Sequence, residues 1–167
     1  MIKHKDQRVG ILVDVSNMYH SAKNLYKSRV NYKEVLRAVV AGRKLIRATA
    51  YVIKTESEEE TSFFEALSQQ GFEVKMKELQ IFAGGAKKAD WDVGIAMDAI
   101  KLGKKLDVIV IVSGDGDYVP LVSYLQNTMG CLVEIAAFKQ TASSRLIEES
   151  DDFLNLSEDK RFLLKTN

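Results

Sequence analysis

The chain has 167 residues, 46% of them hydrophobic and 28% charged, with a formal net charge of +1. That is enough apolar material for one ordinary core, and no apolar run approaches the ~20 residues that a membrane-spanning helix needs. The near-zero balance excludes a chain drawn to nucleic acid by bulk charge, so contact with a polyanion has to come from a local patch or through a metal.

The opening segment, MIKHKDQRVG, is charged and has none of the apolar run of a secretory signal. Residues 9–13 form a predicted strand that ends at Asp14. Residues 19–26 are compatible with a helix, and Asn31 caps a second one through Val40. A β-rich run covers 45–53. Ser57, with Glu60 three residues on, matches a capping box and opens a helix that carries Phe63, Phe64 and Leu67 and stops near Gly71. Residues 72–76 make a short strand, and 82–88, with Gly84 and Gly85, a flexible loop. A helix follows over 90–102, its apolar face drawn through Val93, Ala96, Met97 and Ile100. Val108–Val112 is a continuous β-branched run, the pattern of a strand buried on both faces. Pro120 suits the first turn of another helix. The strand at 131–138 includes the only cysteine, Cys131, a core residue without an intrachain partner. A short helix over 143–149, a last strand over 153–156 and a charged tail over 158–167, prone to fray, complete the chain. The alternation predicts an α/β fold with a central, mostly parallel sheet and helices on both sides, in one domain of 1–167 whose core covers about 8–157. No signal, no disulfide and no membrane span together predict a cytoplasmic protein.

In such sheets ligands bind beyond the carboxyl ends of the strands. Asp14 follows the first strand there, and Ser113-Gly114-Asp115-Gly116-Asp117 follows Val108–Val112. Two strands thus deliver carboxylates to one rim, and the glycines beside Asp115 let the backbone turn tightly. Aspartate also caps turns and helix starts for local reasons, and Asp117 ahead of Tyr118-Val119-Pro120 fits an ordinary N-cap. A third group, Lys87-Lys88-Ala89-Asp90-Trp91-Asp92, opens a helix. The helix dipole accounts for acidic residues at that place; facing inward, Asp92 would instead join Asp14 and Asp115. Crowded carboxylates repel, and a bound cation relieves the repulsion. Oxygen ligands suit Mg2+ or Mn2+. With only His4 and His20 present, a zinc site is disfavoured and His20 reads as an ordinary helix residue. Asp98 is either a support behind the site or a solvated group. Trp91 reads as a packing residue rather than a platform for a base. A metal on aspartates can activate water and stabilise charge on a phosphoryl oxygen, which suits phosphodiester hydrolysis. The chain has no Walker A sequence, no complete dinucleotide fingerprint and no G-x-S-x-G elbow.

Asp14-Val15-Ser16-Asn17 resembles the D-x-x-N signature of NYN domains, relatives of the PIN nucleases. Lys88-Ala89-Asp90-Trp91-Asp92-Val93, continuing to Asp98, resembles the K-G-x-x-D-V…D segment of their LabA-like bacterial branch, with Ala89 in place of the glycine. Val112-Ser113-Gly114-Asp115-Gly116-Asp117-Tyr118 resembles V-S-G-D-G-D-F, with Tyr118 in place of phenylalanine, and Ala142-Ser143-Ser144-Arg145-Leu146 resembles the late A-S-x-x-L element. The resemblance spans about 8–156. It implies a PIN-like three-layer α/β domain and a Mg2+- or Mn2+-dependent ribonuclease, an endonuclease, acting on RNA. Under it, Asp14, Asp92, Asp115 and Asp117 are the catalytic, metal-binding carboxylates, with Asp117 a fourth ligand or a holder of water. Asn17 orients Asp14 or contacts phosphate. Ser113 and Ser143 support the rim. From the residues themselves, Asp98 is a candidate support behind the site, and Lys87 and Lys88, ahead of Asp92, and Arg145, after Ser144, are candidates to meet substrate phosphates beside the metal. Two other readings stay open. One is a non-catalytic RNA- or protein-binding regulatory module that keeps the metal site. The other is a small-substrate phosphatase, disfavoured because HAD-type enzymes carry a second carboxylate where Ser16 stands. A homo-oligomer is open as well.

Overall fold

The sheet grows outward from its first strand. In the computed structural model, which describes residues 2–55, 57–85 and 87–165, β1 (Arg8–Asp14) pairs in parallel with β2 (Lys44–Lys54) on one side. Beyond β2 lies β3 (Glu73–Glu78). A small antiparallel hairpin, β4 (Gln80–Ile81) with β5 (Lys87–Lys88), follows in the chain. On the other side of β1 come β6 (Val108–Val112), β7 (Leu132–Ala137) and β8 (Asp152–Asn155). The order is β3-β2-β1-β6-β7-β8, every pairing parallel. The chain therefore reverses its direction of growth between β1 and β6, a switch point that opens a crevice at the strand ends.

The side-chain period of two builds two cores. Val9, Ile11 and Val13 of β1 and Val108, Val110 and Val112 of β6 face α1 (Val15–Tyr26), α2 (Tyr32–Val40) and α3 (Glu59–Gln69). Leu12, Ile109 and Ile111 face α4 (Asp92–Gly103), α5 (Val119–Asn127) and α6 (Ser144–Glu149). All five residues of β6 are buried. Each such side chain contributes roughly 1.5–3 kcal/mol relative to exposure, so the strand that leads into Ser113–Asp115 is firmly anchored. Among the described residues, no helix is long and apolar enough to cross a membrane.

Several local expectations give way to side-chain competition. α1 begins at Val15 rather than at 19, because the Asp14 carboxylate accepts the Asn17 N–H at 3.3 Å and caps it. Asn31 caps α2 as expected, accepting from the Glu34 N–H at 3.3 Å. The capping box at Ser57 does not form: the Glu60 carboxylate turns back to the Thr55 N–H at 2.9 Å, and α3 starts without a side-chain cap. In the segment 82–88, expected as a flexible loop, Lys87–Lys88 form strand β5 paired with β4, and Gly84 and Gly85 lie between the two strands. α4 buries Ile95, Ala99 and Gly103, spaced by four, against β1 and β6. Of the face drawn through Val93, Ala96, Met97 and Ile100, Ala96 and Ile100 pack partly buried on the second core, while Val93, 75% exposed, and Met97 look outward. Hydropathy does not separate these stripes; the small residues Ala99 and Gly103 do, because they let the helix lie close. The tail is docked, not frayed, as far as Leu164. Phe162 is 2% exposed in the first core. Its carbonyl accepts the Asn31 N–H at 2.8 Å, and the Leu164 N–H donates to the Arg29 carbonyl at 2.8 Å.

Candidate metal centre

The β1–β6 register pairs Val13 with Val112, so the next residue of each strand, Asp14 and Ser113, stand side by side at the rim. The Ser113 hydroxyl donates to Asp14 Oδ2 at 3.3 Å and accepts the Asp115 N–H at 3.2 Å. The Asn17 side-chain carbonyl accepts the Gly114 N–H at 3.0 Å, tying the first turn of α1 to the loop after β6. Asp92 enters from the first turn of α4. Asp14, Asp92 and Asp115 offer carboxylate oxygens that all lie within 4.8 Å of one another. They stand at a cleft of about 350 Å³ whose other wall is the polar side of α1, including Ser16, His20 and Asn24, with Thr141 beside it, its hydroxyl 3.0 Å from that of Ser21.

Beneath the carboxylates sits Tyr118, buried in the second core. Its hydroxyl lies 3.1 Å from Asp14 Oδ2 and 3.1 Å from Asp92 Oδ1. Burial pushes the Asp14 carboxyl above its ordinary value, against the hydrogen bonds from Asn17, Tyr118 and Ser113, and the Asp115 charge pushes the same way. Burial likewise raises the Asp92 carboxyl, with Asp115, Asp14 and Asp90 adding to the rise and the Tyr118 bond opposing it. Burial and the two carboxylates hold the Tyr118 phenol well above its ordinary range, so it stays a donor. The residues fit a divalent cation: three oxygen donors converge, and two carboxyls carry a cost of ionisation that a hard cation removes.

The other predicted residues divide. Asp117 is exposed and stands outside the group of three; its N–H donates to Asp115 Oδ1 at 2.9 Å, so Asp115, not Asp117, caps the turn before α5. Asp98 does not touch the three carboxylates. It takes the Lys75 ammonium at 2.6 Å and the Tyr51 hydroxyl at 2.7 Å. Burial works to raise its carboxyl, but these two partners outweigh that and hold it below the ordinary value. Tyr51 packs on Trp91 with ring centroids 5.3 Å apart, so Asp98 serves the seat of α4. Trp91 is a packing residue, its indole N–H donating to the Val52 carbonyl at 2.9 Å. Ser143 caps α6 and sends its N–H to the Gly114 carbonyl at 2.9 Å. Arg145 is exposed on that helix. The backbone of Lys87 and Lys88 forms β5, and their side chains lie outside the described residues. Sequence reasoning missed the Tyr118 hydroxyl and the cleft wall of α1. The four-residue spacing of Ser16, His20 and Asn24 behind Asp14 was a signal for the wall.

The glycines beside Asp115 serve a purpose other than a tight turn. Neither has a positive φ. A Cβ on Gly114 would stand 2.9 Å from Ala142 Cα, and one on Gly116 2.9 Å from the Ser143 hydroxyl oxygen. Small residues are needed there because the loop leading into α6 lies against them. Gly114→Ala is therefore expected to lower stability by about 1–3 kcal/mol through overpacking, measured as a shift of the urea midpoint. An unshifted midpoint would mean that the Ala142 backbone yields freely.

Comparison with known proteins places the chain in a family. The family model of the NYN domain matches residues 8–157. The low amplitude and bright protein LabA of Synechococcus elongatus is 22% identical over 173 residues, covering 97% of this chain and 90% of that protein. The crystal structure of a protein of unknown function from Vibrio parahaemolyticus superimposes with a TM-score of 0.88 at 33% identity, over 98% of this chain and 100% of that one.

Proposed function

The chain belongs to the NYN domain family, a PIN-like nuclease family whose members depend on metal and act on RNA, and on that premise we propose that it is a ribonuclease cutting phosphodiester bonds within RNA at a Mg2+ or Mn2+ centre. The observation that carries the reading is the meeting of Asp14, Asp92 and Asp115 from a strand end, a helix start and a loop at one cleft. These three carboxylates would hold the ion. When bound, such an ion lowers the pKa of a water ligand and stabilises charge on a phosphoryl oxygen. Asn17 and Ser113 keep Asp14 and the Asp115 loop in register. Ser16, His20 and Asn24 form the wall along which the nucleotides beside the cut would lie. Asp117, on the exposed side of Asp115, would hold water at the mouth of the site, and Lys87, Lys88 and Arg145 would meet flanking phosphates. The buried, unpaired Cys131 suits action in the reducing cytosol.

The test is incubation of the chain with single-stranded and structured RNAs in Mn2+ or Mg2+, beside an EDTA control and Asp115→Asn. Metal-dependent cutting that Asp115→Asn lacks is the expected result. Cutting that persists in the variant, or no cutting by the wild type with either ion on any RNA, overturns the proposal; RNA retained without turnover would instead favour a binding module.

A further inference from the structure

Tyr118 brings a hydroxyl to two of the carboxylates at once. The side chain is 2% exposed, and its oxygen stands 3.1 Å from both Asp14 Oδ2 and Asp92 Oδ1. A buried hydroxyl is costly unless it is bonded, and these two carboxylates are its hydrogen-bond partners. A phenol has one proton to donate, so the hydroxyl is shared across the gap between them. The two acids depend on it unequally. Asp14 is also held by the Ser113 hydroxyl at 3.3 Å and the Asn17 N–H at 3.3 Å. Asp92 stands at the start of α4, and among the described residues the Tyr118 hydroxyl is the hydrogen-bond donor that its carboxylate receives.

We propose that Tyr118 is a positioning residue of the metal centre: its hydroxyl sets the Asp92 carboxylate against Asp14, so that α4 and β1 present their oxygens to one and the same ion. The inference rests on the reading of the three aspartates as a metal centre. Phenylalanine would fill the same hole in the core, so the hydroxyl is there for the carboxylates and not for packing. Groups that orient metal ligands typically change affinity by 10–100-fold when removed.

The experiment needs no RNA. Mn2+ binding to the full chain is measured by the electron paramagnetic resonance of the free ion for wild type, Tyr118→Phe, Asp92→Asn and the double variant, with the urea midpoint of each as the folding control. Tyr118→Phe is expected to bind Mn2+ roughly tenfold more weakly than wild type, and to add less than about twofold once Asp92 is already asparagine, because it acts through that carboxylate. Equal losses in both backgrounds, or Tyr118→Phe binding within twofold of wild type, overturn the inference while leaving the metal centre standing. Wild type that binds no Mn2+ overturns the metal centre and the inference with it. Should Tyr118→Phe not fold, the Cζ carbon resonance of Tyr118 in the wild-type chain gives the answer during a Mg2+ titration: a saturating shift is expected, and an unmoved resonance overturns the proposal.

Discussion

Arg43→Ala is expected to lower the unfolding free energy by about 3–5 kcal/mol, the usual cost of leaving one partner of a buried ion pair behind. The Arg43 side chain is 0% exposed and Glu134 5% exposed. The guanidinium grips the Glu134 carboxylate with two bonds, at 2.7 and 2.9 Å. It also donates to the Val39 carbonyl at 2.8 Å, which the end of α2 leaves open, and to the Val40 carbonyl at 3.1 Å, which the Arg43 backbone N–H reaches as well. One side chain thus closes a helix, spans to β7 and neutralises a buried acid. Without it, among the described residues Glu134 keeps Lys3 as its one ion-pair partner, at 3.5 Å and shared with Asp152. Arg43 stands just before β2, at the amino ends of the strands, and Glu134 pairs with Val110 in mid-sheet, neither of them at the carboxylate rim, so the folded variant should bind Mn2+ as wild type does. Urea denaturation measures the loss, and Arg43→Met with Glu134→Leu should lose less than Arg43→Ala alone, because both charges leave together. A loss below about 1 kcal/mol, or a double variant as weak as the single one, would sink this account.

No motif announces that pair, whose members stand 91 residues apart. What could be read in advance was what a single strand or helix end states about itself. Val108–Val112 is apolar throughout, which requires cover on both faces, and β6 has it. Asp14 could be placed at the rim because it directly follows such a run, and Asp115 because it lies in the segment Ser113–Asp117 that follows Val112. The bland and the functional readings of those two acids then proved compatible: Asp14 caps α1, Asp115 caps the turn before α5, and both still face the cleft. Asp117 could not be sorted the same way, because its orientation follows from Asp115 taking its N–H. Asp92 depended on a partner 26 residues on, and the hydroxyl of Tyr118 has no consequence in a local pattern. Glu60 chose Thr55 over the capping box, a contest between neighbours that composition does not decide. The charged run before Phe162 hid the aromatic that docks the tail.

Asp14→Asn is expected to reduce RNA cleavage by roughly 10²–10³-fold and to remove the response to divalent ions, yet not to weaken the metal-free fold at neutral pH. The first part follows from losing a ligand to a centre whose charge stabilisation is worth several kcal/mol, with each ~1.4 kcal/mol a factor of ten in rate. The second follows from the direction of the titration. Burial holds the Asp14 carboxyl above its ordinary value, so the native chain keeps a proton that the unfolded chain has already released. Stability therefore falls as pH rises from the ordinary carboxylate value through the raised one, a cost that the metal-free wild type carries and an uncharged side chain does not. Asparagine carries no charge, its carbonyl can accept the Asn17 N–H, and its amide can donate to the Ser113 or Tyr118 oxygen. In EDTA at pH 7 the variant should melt no lower than wild type, and any advantage should vanish at pH values below the ordinary carboxylate range. Mn2+ at a hundred times its Kd should stabilise the wild type by about 2.7 kcal/mol, a rise of roughly 5–10 °C for a chain of this size. That rise should shrink as pH falls through the raised values of Asp14 and Asp92, where protons compete with the ion. The variant should show no rise at either pH. A variant that melts well below wild type in EDTA would make Asp14 a structural acid first, and an equal Mn2+ response in both chains would remove it from the ligand set. Either outcome would separate the two roles that the geometry assigns to this one carboxylate, cap of α1 and member of the metal centre.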